Sequence, residues 1–193
     1  MRCRLCFQLN VAASGLCLAC LNLHPPFAGV AAALSYEGPA RALLRAFKYN
    51  KFVPLAKGLS AFMVAQFARL HWPYPDLVVP VPQSRLKRVI RGFNQSELLA
   101  RHLALSLSVP HSRILKRRSK GPAQMGLDRE ERRNLPPGSF ALKWRRQVEG
   151  ATLLLIDDAA TTGTTLLRAA EALQEGHPMA IYALTLCRTE RVN

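Results

Sequence analysis

Short apolar runs and periodic apolar positions divide the chain into alternating strand-like and helix-like segments. Residues 28–36 and 153–156 are compact apolar runs, which are typical of strands buried on both faces of a parallel sheet. Residues 76–82 predict a central strand that ends in two prolines, because proline removes the donors that a ladder needs. Residues 179–186 predict a closing strand.

Between these strands the apolar positions recur with the period of a helix. Pro39 suits a first helical position. The charged positions of the helix that follows, Arg41, Arg45 and Lys48, indicate either a solvated face or part of an anion-binding surface, and on this segment alone the solvated face is favoured. Residues 54–70 predict a second helix, and Asn94 or Ser96 can cap a third. The apolar positions that predict the buried faces are, in chain order, Ala42, Leu43, Ala46 and Phe47; Leu55, Leu59, Phe62, Met63 and Phe67; Leu98, Leu99, Leu103 and Leu107; and Leu166, Leu167, Ala170 and Leu173. The alternation predicts an α/β fold, a parallel-rich sheet flanked by helices.

The segment that carries the clearest chemistry follows the run 153–156. Asp157 and Asp158 end the predicted strand, and a loop of small residues leads into a helix. Backbone N–H groups of such a loop and of the first helical turn converge on one point, where the helix dipole favours an anion. Gly163 allows a close approach of the backbone, and threonine hydroxyls add donors. The loop comprises Ala159, Ala160, Thr161, Thr162, Gly163, Thr164 and Thr165.

Two carboxylates in front of a phosphate site indicate that the ligand also has hydroxyl groups, since carboxylates accept hydrogen bonds from a vicinal diol. A ribose 5-phosphate unit supplies both groups. The run IDDAATTGTT resembles the phosphoribosyl-pyrophosphate (PRPP) signature of type I phosphoribosyltransferases. The resemblance implies that the two acids contact the ribose hydroxyls, that the threonine loop holds the 5′-phosphate, and that Mg²⁺ accompanies PRPP. Ala159 departs from that pattern, which usually has Val or Ile there.

Charge narrows the class of partner. The formal net charge of the 193 residues is +15, more than solubility requires, and it favours a polyanion such as nucleic acid or a multiply charged phosphate. A basic surface without a specific ligand is the alternative. No apolar run approaches the roughly 20 residues that span a bilayer, so we expect a cytoplasmic protein with no membrane insertion.

Two CxxC pairs separated by ten residues occupy the first part of the chain. Each pair predicts a knuckle with two thiolates, and two knuckles close a tetrahedron about Zn²⁺. Two disulfides or a redox CxxC are the alternatives, the former disfavoured in a reducing cytosol. We therefore expect residues 1–24 to form a small structural zinc ribbon whose ligands are Cys3, Cys6, Cys17 and Cys20, followed by one α/β domain at 28–193.

Two basic segments follow the predicted strand at 76–82. Residues 83–95 contain four cations and no acid, and a loop at the carboxyl end of a parallel strand is where open α/β sheets bind ligands. Residues 110–150 are basic and interrupted by Pro and Gly, which predicts a long mobile excursion. Three roles compete for this excursion: a catalytic lid, a contact for single-stranded nucleic acid and a plain solvated loop. Its Pro/Gly hinges and many arginines favour the first two over the third.

The motifs YEG at 36–38, FKY at 47–49, PVP at 80–82 and RGFNQ at 91–95, together with the cysteine pairs, resemble the ComF/GntX family of competence-associated proteins. That resemblance implies an N-terminal zinc ribbon joined to a type I phosphoribosyltransferase-like domain, with a pyrophosphate loop at Val81, Pro82, Gln83, Ser84 and Arg85. It also implies a role in natural transformation, with single-stranded DNA and the competence machinery as partners. Catalysis by glycosyl transfer from PRPP and DNA binding that uses the pocket only to sense a ligand are the two functional hypotheses. The residues expected to serve nucleic acid or the lid are Arg88, Arg91, Asn94, Gln95, Lys116, Arg117, Arg118, Gln124 and Arg133.

Overall fold

We describe the protein from a computed structural model. The structure describes residues 3, 12–13, 15–23, 25–49, 52–118, 135–144 and 148–189. In this part of the chain the helices are α1 (Leu18–Leu23), α2 (Gly38–Tyr49), α3 (Leu55–Leu70), α4 (Arg85–Arg91), α5 (Gln95–Leu107) and α6 (Thr164–Gln174). The strands are β1 (Gly29–Ser35), β2 (Leu77–Pro80), β3 (Leu115–Arg117), β4 (Phe140–Leu142), β5 (Thr152–Ala160) and β6 (Ala180–Arg188). None of the described helices has both the length and the apolar character that crossing a bilayer requires.

Four strands form a parallel sheet in the order β1-β6-β5-β2. Because side chains alternate along a strand, β5 supplies both faces of the sheet. Leu154 and Ile156 join a core with buried residues of α2, α3 and α5. Leu153 and Leu155 join a second core with α6 and the β3–β4 pair. The expected α/β architecture, a parallel sheet with helices on both faces, is confirmed.

The strand β5 is longer than the sequence predicted. It continues through both aspartates to Ala160, because β6 extends alongside it and pairs Asp157 with Thr185 and Ala160 with Arg188. The turn before α6 therefore shrinks to residues 161–163. Both aspartates lie inside the sheet edge, where each residue is buried, instead of in an open loop.

The strand β2 was predicted to be central and instead lies at one end of the four-stranded sheet. Its outer side is covered at one point, where Val78 bridges to His111 and exchanges backbone hydrogen bonds with residues 110 and 112. Pro80, which has no N–H, is tolerated in this strand because the outer edge requires few donors.

Three further expectations require correction. In α2 the buried positions are Leu44, Phe47 and Lys48, while Leu43 is exposed, so the buried face lies further round the helix than the apolar residues indicated. In α3, Phe62 is exposed. The loop predicted at 83–95 contains the short helix α4, and Asn94 caps α5 as expected, its side-chain oxygen accepting from the Ser96 N–H at 3.2 Å.

The excursion predicted at 110–150 is too wide at both ends. Residues 115–117 and 140–142 pair as an antiparallel ladder, and Ile114, Phe140 and Val148 are fully buried in the second core. These apolar residues are too widely spaced for a periodic pattern, which is why the sequence did not reveal them. Residues 119–134 and 145–147 lie outside the described residues.

Candidate functional site

The carboxyl ends of β2 and β5 and the start of α5 meet at a cleft on one edge of the sheet. The cleft encloses about 60 Å³ and is open to solvent, which is small beside the roughly 300–1,000 Å³ of typical ligand pockets. A ligand of sugar-phosphate size would therefore lie partly outside it. The residues that line it are Val81, Pro82, Gln83, Arg91, Asn94, Gln95, Ser96, Arg117, Asp157, Asp158, Ala159, Ala160, Thr161, Thr162, Gly163, Thr165 and Leu166.

The cleft unites residues that the sequence analysis had assigned to different roles. The acid pair, most of the threonine loop and the first three residues of the predicted pyrophosphate loop share it. Arg91, Asn94, Gln95 and Arg117, which we had assigned to nucleic acid or the lid, line the same cleft. Thr164, Ser84, Arg88, Lys116 and Arg118 do not line it. The side chain of Arg85 and all of Gln124 and Arg133 lie outside the described residues.

The turn at residues 161–165, the threonine turn, has a shape that depends on Gly163. This residue has φ +80° at the N-cap of α6, a left-handed conformation that side chains with a Cβ rarely adopt. The Thr162 and Thr164 hydroxyl oxygens lie 2.9 Å apart, and the Thr164 N–H donates to Thr162 Oγ1 at 3.4 Å. The turn thus presents an exposed start of an 11-residue helix to the cleft.

Asp157 is held by groups from two directions. The Ser96 hydroxyl donates to Asp157 Oδ1 at 2.8 Å, and the backbone N–H of Asp158 donates to the same oxygen at 2.8 Å. Burial, and then the neighbouring charge of Asp158, raise the pKa of Asp157 to about 6, although these hydrogen bonds and Lys48 oppose the shift. Both of these contacts use Oδ1.

Asp158 forms an ion pair that the sequence analysis missed. Lys48 Nζ lies 3.1 Å from Asp158 Oδ1, and both side chains are almost completely buried. The sequence placed Lys48 on a solvated face because its partner is 110 positions further along the chain, and only the packing of α2 against the sheet brings them together. The same burial raises the pKa of the nearby Cys187 thiol to about 11, so this cysteine is not a reactive thiolate.

The β2–α5 connection is braced by its own polar side chains. The Asn94 amide donates to the Val81 carbonyl oxygen at 3.1 Å, which ties residues 81–83 to the start of α5. In the orientation that satisfies both of its groups, the Gln83 amide donates to the Phe93 carbonyl and accepts from Arg91 Nη1 at 3.1 Å. Arg91 is buried, with its guanidinium 5.5 Å from the centre of the Tyr49 ring. The side chains of the RGFNQ motif therefore hold in place the β2–α5 connection, which lines the cleft.

The basic residues around β3 divide into two groups. Arg117 lines the cleft with its guanidinium 5.9 Å from the centre of the Phe140 ring, whereas Lys116 and Arg118 are exposed to solvent. Arg88 on α4 is also exposed. These three exposed cations are available to a large anionic partner.

The N-terminal cysteines form a second candidate site. The sulfur atoms of Cys3, Cys17 and Cys20 lie within 4.8 Å of one another, and all three residues are buried. Thiolates at this spacing suit a single soft metal ion such as Zn²⁺, whose Zn–S distance is about 2.3 Å. The fourth predicted ligand, Cys6, lies outside the described residues. The donor set fits a metal site.

Comparison with known proteins identifies the family. The phosphoribosyl transferase domain model matches residues 94–191, just over half of the chain, and this match includes the acid pair and the threonine turn. The chain is 27% identical over 179 residues to the DNA utilization protein YhgH of Escherichia coli K12, covering 90% of this chain and 78% of that protein. It is also 27% identical over 165 residues to competence protein F of Haemophilus influenzae, covering 82% and 72%.

Among solved structures, the glutamine phosphoribosylpyrophosphate amidotransferase of Bacillus subtilis aligns with a TM-score of 0.46 at 21% identity. That alignment covers 68% of this chain and 26% of the much longer enzyme chain. The resemblance to the ComF/GntX family is confirmed by the curated relatives. The chain belongs to the phosphoribosyl transferase domain family, with the type I fold, and it is similar to proteins named for competence and DNA utilization.

Proposed function

We propose that the cleft binds PRPP, or a related phosphorylated ribose, together with Mg²⁺. The observation that supports this most directly is that the acid pair, the threonine turn and residues 81–83 line one cleft. A ligand with a diol, a monophosphate and a diphosphate needs these three kinds of surface next to one another.

The turn at residues 161–165 is the proposed 5′-phosphate site. N–H groups of the first turn of α6 that have no helical carbonyl partner, the helix dipole and the threonine hydroxyls all favour an anion there. The α6 helix carries no acidic residue in its first turn, so no carboxylate competes for these donors.

The acid pair is the proposed diol site. Each carboxylate is held through Oδ1, Asp157 by Ser96 and Asp158 by Lys48, and both residues line the cleft. The Oδ2 atoms can therefore accept hydrogen bonds from two hydroxyls without disturbing the contacts that orient them. The ion pair of Asp158 organises this site and does not close it.

The diphosphate arm is assigned to residues 81–83, with the cations Arg91 and Arg117 at the cleft. The Asn94 contact to Val81 holds the backbone here in one shape. Mg²⁺, carried by ligand oxygens and water, would neutralise the diphosphate and improve it as a leaving group.

The reaction that this arrangement supports is transfer of the ribosyl group. The bond between C1 of ribose and the diphosphate oxygen breaks, and its electron pair leaves with pyrophosphate. Positive charge that develops on the ring is stabilised by the carboxylates of Asp157 and Asp158. A nucleophile then bonds to C1 and loses a proton.

Binding and catalysis are tested separately. Ribose 5-phosphate and 2-deoxyribose 5-phosphate differ by one hydroxyl of the diol, so we expect the deoxy sugar to bind about ten- to a hundredfold more weakly. Equal affinities would contradict the diol assignment. Release of pyrophosphate from PRPP is then followed while amines and nucleobases are screened, and release that depends on one acceptor would establish transfer.

A second proposed function is binding of single-stranded DNA. The charge of +15 and the exposed cations Arg88, Lys116 and Arg118 favour it, and the names of the relatives refer to DNA utilization and competence. The two functions are compatible because the exposed cations do not line the cleft. If the protein binds DNA and uses the cleft only to sense a ligand, PRPP would bind, and pyrophosphate would not be released with any of the acceptors screened.

A further inference from the structure

Lys48 is a buried cation whose position the family match does not cover, since that match begins at residue 94. Lys48 is 7% exposed and projects from α2, which packs into the first core through Leu44 and Phe47. Burying an ammonium group is costly unless it is paired. Among the described residues, the carboxylate of Asp158 is its ion-pair partner.

The groups that face this pair come from three elements. Asp157 precedes Asp158 on β5 and accepts a hydrogen bond from the Ser96 hydroxyl of α5. Cys187 lies beside them on β6, opposite Ala159. The Cys187 thiol is neutral because burial raises its pKa to about 11. Lys48 is thus the cation that balances two adjacent buried carboxyl groups.

We propose that Lys48 is a positioning residue for the ribose end of the cleft, which holds the Asp158 carboxylate in the orientation that presents Oδ2 to the ligand. This inference rests on the proposed function. Lys48 is not among the residues that line the cleft, so it acts through Asp158 and does not contact the ligand. Lys48 is also one of the groups that lower the pKa of Asp157, so without the cation that pKa rises further and the diol loses an ionised acceptor near neutral pH.

The test compares Lys48→Met, Lys48→Arg and the control Arg41→Met, which removes an exposed cation from the same helix. Affinities for ribose 5-phosphate and for inorganic pyrophosphate are measured from about pH 5 to about pH 8. For Lys48→Met we expect about tenfold weaker binding of the sugar phosphate at neutral pH and a binding midpoint that moves up by about one pH unit. Pyrophosphate binding changes less, Lys48→Arg restores most of the affinity, and Arg41→Met stays within about twofold of the parent.

A double-mutant cycle keeps the test informative if Lys48→Met does not fold, and it separates a positioning role from direct contact with the ligand. In Lys48→Met/Asp158→Asn both partners of the ion pair are neutral, so neither of them is left buried as a charge without its partner. We expect this double variant to bind ribose 5-phosphate within about twofold of Asp158→Asn, because Lys48 acts chiefly through Asp158. A further loss of about tenfold in the Asp158→Asn background would overturn the positioning role.

Measurements on the parent protein distinguish failure of this inference from failure of the proposed function. Parental affinity and a parental pH midpoint in folded Lys48→Met would overturn this inference and leave the proposed function standing. A parent that binds neither PRPP nor ribose 5-phosphate would overturn both.

Discussion

The Ser96 hydroxyl donates to Asp157 Oδ1 at 2.8 Å, across 61 positions of sequence. This bond ties the start of α5 to the end of β5. The contact of Asn94 with Val81 holds the start of α5 beside the end of β2, which the sheet places next to β5. It also fixes one carboxylate oxygen of a residue that lines the cleft. The acid pair is thus held from two helices, by Ser96 from α5 and by Lys48 from α2.

Asp157 gives the apo protein a distinctive dependence on pH. Its pKa is raised from 3.8 to about 6 by burial, so the folded state binds more protons than the unfolded state in that window. We expect the free energy of unfolding to fall as pH rises from about 4 to about 6, by about 1–3 kcal/mol. Urea denaturation at a series of pH values measures this.

The matched variant is Asp157→Asn, which keeps an oxygen to accept from Ser96 and does not ionise. We expect its stability to change less over the same pH window, with an unfolding free energy at neutral pH equal to or above that of the parent. A parent and variant with identical pH profiles would show that Asp157 does not carry the shift.

Asp158→Asn should have the opposite effect on stability. The substitution leaves the Lys48 ammonium buried without its carboxylate, which typically costs about 3–5 kcal/mol. Chemical denaturation at neutral pH measures the loss, and Lys48→Met/Asp158→Asn should recover most of it. An Asp158→Asn protein as stable as the parent would mean that the ion pair contributes nothing.

Gly163→Ala tests the threonine turn. At φ +80° an alanine costs about 1–2 kcal/mol, and we expect weaker binding of ribose 5-phosphate because the turn must shift. The control is Gly58→Ala, at the fourth residue of α3, where no atom lies within 4 Å of an added Cβ. That change should stabilise the protein by about 0.5–1 kcal/mol and leave binding unchanged.

The cysteine cluster should hold one Zn²⁺ per chain. We expect metal analysis of the purified protein to give one equivalent, and Cys17→Ser and Cys20→Ser to lower zinc retention and the melting temperature. Cys187→Ala should keep the metal, because Cys187 lies on β6 outside the cluster. A metal-free parent of unchanged stability after chelation would contradict the zinc-ribbon prediction.

The exposed cations should carry any DNA binding. For Lys116→Gln/Arg118→Gln we expect the slope of log affinity against log salt for single-stranded DNA to decrease in magnitude by about 1–1.5, since each phosphate contact contributes about 0.7. Arg101→Gln, an exposed cation on α5, is the control. Equal slopes in all three proteins would remove these two residues from the DNA contact.

The acid pair, the threonine turn and the cap at Asn94 were predictable because each depends on residues close in sequence. An apolar run followed by acids, small residues and a helical period indicates strand, turn and helix whatever the rest of the chain does. Even there, the end of β5 was misjudged, because its length depends on how far β6 extends beside it.

Lys48 and Ser96 were not predicted as partners of the acids because both contacts join residues far apart in sequence. A lysine three positions after an arginine on a helix indicates a charged surface, and only the packing of α2 shows that Lys48 is buried. The burial of Arg91 was not predicted for the same reason: its contact with Tyr49 depends on the short helix α4, which a basic loop pattern does not predict.

The account depends on a ribose held by its hydroxyls at one side and its phosphate at the other. Isothermal titration calorimetry of PRPP with Mg²⁺ into the parent and into Asp157→Asn tests this most directly. We expect one binding site in the parent and an affinity lower by about tenfold or more in the variant above about pH 6, where Asp157 is ionised. Equal affinities in the two proteins, or no binding to the parent, would contradict it.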